Sequence, residues 1–145
     1  MGSVAGRSSL PFLGAYAASK FALEAMADAL RVEVAPFGIH VSIVEPGTIA
    51  TPIWTKPQRT IEAFPAEAVE LYGERVEKFR ALAARRSSTA AVPAEEVAKA
   101  VEHALTSAKP RTRYLVGPDA KRRARLQKFP DRIRDKLLTR LLFGS

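Results

Sequence analysis

The stretch GSVAGRSSLPFLGAYAASK, Gly2 to Lys20, places a serine at position 3, a tyrosine at 16 and a lysine at 20 around a loop-forming RSSLPFLG segment. From Ala15 to Phe37 the only Pro or Gly is Pro36, and Ala, Leu, Met, Glu and Lys are abundant, which predicts a helix of about five or six turns. On that helix Tyr16 and Lys20 are i and i+4, so they share a face one turn apart. A phenol that exchanges a proton near neutral pH needs its pKa of about 10 lowered, and a neighbouring ammonium stabilises the phenolate. Ser3 adds a hydroxyl able to hold a carbonyl or alcohol oxygen if the intervening loop folds back. The plainer reading is a polar stripe of Lys20, Glu24, Asp28 and Arg31 with Tyr16 at its top and Ser3 in a turn, and spacing alone favours it.

Downstream, Pro36 and Gly38 stop the helix, and IHVSIVEP supplies a β-branched run from Ile39 to Val44 that predicts a buried strand. Helix, turn and strand suggest half of a βαβ unit. PGTIAT, Pro46 to Thr51, then breaks regular structure, and residues 48–65 are expected as a long loop or short-helix region carrying Trp54 and Phe64. A helix follows from Pro65 to Arg86, with Val69, Tyr72, Val76, Phe79 and Ala83 along one face. Pro93 opens another helix to about Ser107, led by Glu95 and Glu96. Thr112 to Gly117, TRYLVG, is the second strand, and the tail is one or two basic helices interrupted at Pro130. Two strands do not usually stand alone, so these need neighbours that the sequence does not supply.

The 145 residues are 47% apolar, enough for one packed domain or a piece of one. There is no Cys, and His40 and His103 are far apart, so neither a disulfide nor a metal site is expected. His40 is expected packed or at an edge of its strand, and His103 solvated. No apolar run approaches the roughly 20 residues of a membrane span and no signal-peptide pattern opens the chain, so a soluble cytoplasmic protein is the default. The net charge of +8 is local: residues 109–145 hold 12 Lys and Arg against 3 Asp, while residues 1–108 hold 11 against 12 acidic residues. That tail reads first as a solvated face. The alternative is a surface helix drawn to anionic lipid, with Leu137, Leu138, Leu141 and Leu142 entering the interface. Nucleic-acid binding is not expected, because no reader motif accompanies the charge.

The serine of SVAG, YAASK thirteen residues later and PGTIAT beyond it resemble, in order and spacing, the second half of the short-chain dehydrogenase/reductase family. The likeness is close from Gly2 to about Trp54, weaker to Gly117 and absent as motif in the tail, and it is greatest toward the retinol and hydroxysteroid dehydrogenase branch. It implies an α/β fold, the C-terminal part of a Rossmann-like doubly wound parallel sheet, with residues 1–117 a partial catalytic domain, residues 48–86 its substrate loop and lid, and 118–145 a basic helical tail. By resemblance Tyr16 is the general acid/base, Lys20 lowers its pKa and bonds the nicotinamide ribose, and Ser3 orients the substrate oxygen. Pro46, Gly47, Ile49 and Thr51 meet the nicotinamide of NAD or NADP, and Trp54 faces a lipophilic alcohol or carbonyl. The long helix, apolar around much of its circumference, is expected to join a second copy in a homo-oligomer.

The family's Gly-rich pyrophosphate turn, ribose selector, Asn-Ala-Gly stretch and helix asparagine are not in this sequence, so the N-terminal Gly-rich half is expected to be missing and the chain truncated. Two further readings follow. The chain is a catalytically inactive fragment or interaction module, for which weak or no NAD(P)H binding is expected, or it is a basic module associated with lipid or nucleic acid.

Overall fold

The computed structural model describes residues 1–52 and 64–144. Ser3 leads into a 3-10 turn over Val4–Gly6, followed by helix α1, Gly14–Val34, which tightens into a second 3-10 turn over Ala35–Phe37. Strand β1 is Ile43–Pro46, and helices α2, Ala66–Thr89, and α3, Ala94–Thr106, precede strand β2, Arg113–Val116. The chain closes with α4, Pro118–Leu126, and α5, Asp131–Phe143, broken at Pro130 as the sequence predicts.

β1 and β2 pair in parallel, with Ile43 opposite Arg113 and Pro46 opposite Val116. On the other side of β1 the Gly2 N–H donates to the Val44 carbonyl at 2.8 Å, so β1 is flanked by chain on both edges. The sequence places the first strand at Ile39 to Val44, and the structure corrects this: residues 39–42 lie outside it. A strand exists where it has a ladder partner, and β2 reaches only as far back as Arg113. His40 accordingly lies exposed and off the sheet, rather than packed in it.

Alternation along the strands separates two faces. Val44, Tyr114 and Val116 meet Val97, Ala100, Val101 and Ala104 of α3. Glu45 and Arg113 face α1, where Arg113 reaches Glu24 at 3.0 Å and Asp28 at 2.6 Å. A helix on each face of a parallel pair is the local form of a doubly wound α/β sheet. α1 itself buries only Ala17, Glu24 and Ala27, a narrow stripe, and leaves Phe21, Met26 and Val32 exposed.

Glu45 is fully buried, with Arg113 at 3.4 Å and Arg7 at 3.8 Å, and neither carboxylate oxygen makes a hydrogen bond among the described residues. Burial first, and then the nearby Glu24, raise its pKa to about 7 against the opposing pull of Arg7 and Arg113. The folded protein therefore holds this proton to higher pH than the unfolded chain does. The stability it contributes is intact below about 4.5, declines as pH rises and is gone above about 7. Asp28 behaves oppositely: the hydrogen bond from Arg31 holds its pKa down, so its contribution is lost only in more acid solution. Thermal unfolding followed by circular dichroism should show Tm falling between about pH 4.5 and 7 by on the order of 5 °C. Glu45→Gln should flatten that slope, and an unchanged slope in the variant would count against this account.

Candidate active site

Tyr16 lies in the first turn of α1, about half exposed, and the Lys20 Nζ is 5.7 Å from the centre of its ring. The i, i+4 spacing thus brings the phenol and the ammonium onto one face. Ser3 caps the 3-10 turn by accepting the Ala5 N–H at 3.1 Å, which leaves its own hydroxyl proton free to be donated elsewhere. That turn is seated directly on α1. A Cβ at Gly6 would stand 2.8 Å from the Lys20 carbonyl oxygen and 3.1 Å from Glu24 Cγ, so only glycine lets the two backbones approach this closely. The seating of the Ser3 turn on α1 at Lys20 and Glu24 therefore depends on an absent side chain.

The loop from the Ser3 turn back to α1 passes through Phe12, whose φ of 65° is left-handed and unusual for a bulky residue. Its ring is held edge-on by Phe79 of α2 at 5.7 Å and by Phe143 of α5 at 6.5 Å. Helices α2 and α5 thus both pack against this loop. Phe64 and Tyr72, both within the stretch 48–86 that the resemblance gives as substrate loop and lid, are exposed.

The segment after β1 is held from three sides. Gly47 N–H donates to the Val116 carbonyl at 2.9 Å, and residues 48–50 exchange backbone hydrogen bonds with Val92 at 2.9 and 3.1 Å. On the third side the Asp119 carboxylate accepts from both the backbone N–H and the hydroxyl of Thr48, at 2.7 and 2.8 Å. Pro46, Ile49 and Thr51 come together in the wall of an apolar cavity of about 650 Å³, completed by Val97, Val101 and Leu105 of α3. Tyr16, Lys20 and Ser3 are not in that wall, and Trp54 lies outside the described residues. Among the described residues no cluster of His, Cys, Asp or Glu could hold a metal ion.

Sequence reasoning missed Asp119, Arg123 and the buried Glu45. Asp119 was visible only as an acidic residue opening a basic helix, and nothing local couples it to Thr48. His103, expected to be solvated, is exposed but also hydrogen-bonds Tyr114 Oη through Nδ1 at 2.8 Å. The same phenol accepts the Arg111 N–H at 2.9 Å.

A sequence profile for the family described as short chain dehydrogenase matches residues 1–62. Over 82% of its length the chain is 40% identical to 17-beta-hydroxysteroid dehydrogenase type 6 of Rattus norvegicus, covering 39% of that protein. The chain belongs to the short-chain dehydrogenase/reductase family. It is also 36% identical to an NADPH-dependent 3-dehydrocapnine reductase of Ornithobacterium rhinotracheale, over 93% of this chain and 47% of the relative. Among solved structures, a short-chain dehydrogenase from Streptomyces avermitilis superposes with a TM-score of 0.66 at 29% identity, over 96% of this chain and 48% of that one. The chain spans less than half the length of each of these relatives.

The seating of the Ser3 turn is testable without any ligand. Gly6→Ala should lower Tm by on the order of 3–10 °C, because a helix backbone cannot yield to the new methyl. Gly14→Ala, whose Cβ would meet nothing within 4 Å, should leave Tm unchanged or raise it slightly. Equal effects at the two positions, read by differential scanning calorimetry, would refute the close approach.

Proposed function

We propose that this chain carries the proton-transfer and nicotinamide-facing part of an NAD- or NADP-dependent oxidoreductase acting on an alcohol/carbonyl pair. The observation that carries the reading is the shared face of Tyr16 and Lys20 on α1, the helix on which the Ser3 turn is seated through Gly6. Pro46, Ile49 and Thr51, which share one wall at the end of β1, are the residues this reading assigns to the nicotinamide end of a dinucleotide. When bound, the nicotinamide supplies hydride to the substrate carbon or takes it up.

In reduction, Tyr16 Oη gives its proton to the substrate oxygen as that oxygen gains negative charge; in oxidation the phenolate recovers it. Lys20 stabilises the phenolate and offers its remaining donors to the ribose hydroxyls. Ser3 donates its hydroxyl proton to the same substrate oxygen while one of its lone pairs accepts the Ala5 N–H. A lipophilic substrate suits this reading, since the rat relative is named a hydroxysteroid dehydrogenase. NADPH is the first cofactor to titrate, because the Ornithobacterium relative is named for it. The exposed Phe21, Met26 and Val32 of α1 supply an apolar face for a second copy of the chain. The second reading is an inactive fragment or interaction module that binds no dinucleotide.

Fluorescence titration with NADPH and NADH, followed by turnover of a secondary alcohol, separates the two. Tyr16→Phe should reduce kcat by about 10²-fold or more while leaving dinucleotide affinity within twofold. Retained turnover would remove Tyr16 from the chemistry, and a wild-type chain that takes up no dinucleotide would leave the inactive-fragment reading standing.

No helix among the described residues is long and apolar enough to cross a membrane. On α5, however, Ile133, Leu137 and Leu141 form an exposed i, i+4, i+8 stripe flanked by Arg132, Lys136 and Arg140, which supports peripheral contact with an anionic bilayer. Sedimentation with phosphatidylserine vesicles should carry the chain down at low salt and release it at high salt. Leu137→Ser with Leu141→Ser should weaken the association, and equal sedimentation with neutral vesicles would refute an electrostatic contact.

A further inference from the structure

We infer that α4 is a brace for the site, with Asp119 and Arg123 as positioning residues that hold the Thr48 turn and the Ser8 segment in place. The inference rests on the reading of the Thr48 turn as nicotinamide-facing. Asp119 and Arg123 are i and i+4, so both project from one face of α4. Asp119 Oδ2 accepts the Thr48 N–H and hydroxyl, two bonds to one charged oxygen that fix both the backbone and the rotamer of that residue. Asp119 Oδ1 is buried and makes no hydrogen bond among the described residues; it lies against Gly47, where any Cβ would overlap the carboxylate.

The glycine of PGT is thus needed to admit the carboxylate, and the carboxylate fixes the residue after the glycine. One turn along, Arg123 Nη2 donates to the Ser8 carbonyl, in the segment that runs from the Ser3 turn toward Tyr16. Burial lowers the Arg123 pKa, Asp119 and Tyr16 oppose that, and Arg86 adds to it. Both sides of the site, the Ser3–Tyr16 side and the Pro46–Thr51 side, are tied to the same nine-residue helix.

Amide hydrogen exchange on the full chain, with NADPH titration on the same samples, tests this. In Asp119→Ala the amides of residues 48–50 should exchange about 10-fold faster or more, while those of α1 and of the β1–β2 pair keep their protection. Asp119→Asn, which retains an acceptor oxygen, should restore most of it. Arg123→Ala should loosen residues 6–8 and spare residues 48–50. Unchanged exchange at Thr48, or acceleration spread evenly over the molecule, would overturn the brace. If the wild type binds NADPH, Asp119→Ala should weaken binding about 10-fold, and unchanged affinity would overturn the positioning role. If the wild type binds none, the functional reading above fails, and exchange at residues 48–50 and 6–8 still decides the brace.

Discussion

The parallel register of β1 and β2 is the constraint on which the rest depends. Because Pro46 stands opposite Val116, both strands end at the same level and the two turns that leave them emerge side by side. The Gly47 N–H continues the ladder for one bond past the strands, to the Val116 carbonyl. Only this shared end lets a residue of α4 reach the turn after β1. The carboxyl ends of parallel strands are where open α/β sheets gather ligands, and here the gathering is done by backbone pairing before any side chain contributes. A shift by one residue would reverse the faces, sending Glu45 into the apolar layer of α3 and Val44 toward the charged face of α1.

Those two faces differ in kind. The α3 side is aliphatic and closes on the strands by ordinary burial. The α1 side is a charge network in which Arg113 is shared among Glu24, Asp28 and Glu45. One guanidinium cannot satisfy three carboxylates equally, and the most buried of them is left without a hydrogen bond. Charged groups in such a place contribute less to net stability than to specifying which helix meets which strand, since any other docking would strand a charge without a partner.

The elements that local sequence decides were legible: α1 from its composition and its stop at Pro36 and Gly38, the break at Pro130, and the common face of Tyr16 and Lys20. The family was legible from three motifs in order, each weak alone. What depends on contact between distant segments was not. Residues 39–42 are β-branched enough to suggest a strand but have no partner there. Glu45 reads in sequence as an unremarkable residue before Pro-Gly, and its burial beside Arg7 and Arg113 depends on segments far from it along the chain. Gly6 and Gly47 look alike as loop glycines, yet one admits a helix backbone and the other a carboxylate.

The bond between Thr48 and Asp119 joins residues 71 positions apart. Closing so long a loop costs entropy that grows only slowly with length, so what governs the closure is whether α2 and α3 are formed inside it. The Ser3 turn and α1, by contrast, meet across a short stretch of chain. One side of the site therefore closes across a short stretch of chain and the other across a long one, and a ligand that bound the formed Thr48 turn and not the unfolded chain would favour the closed arrangement by mass action.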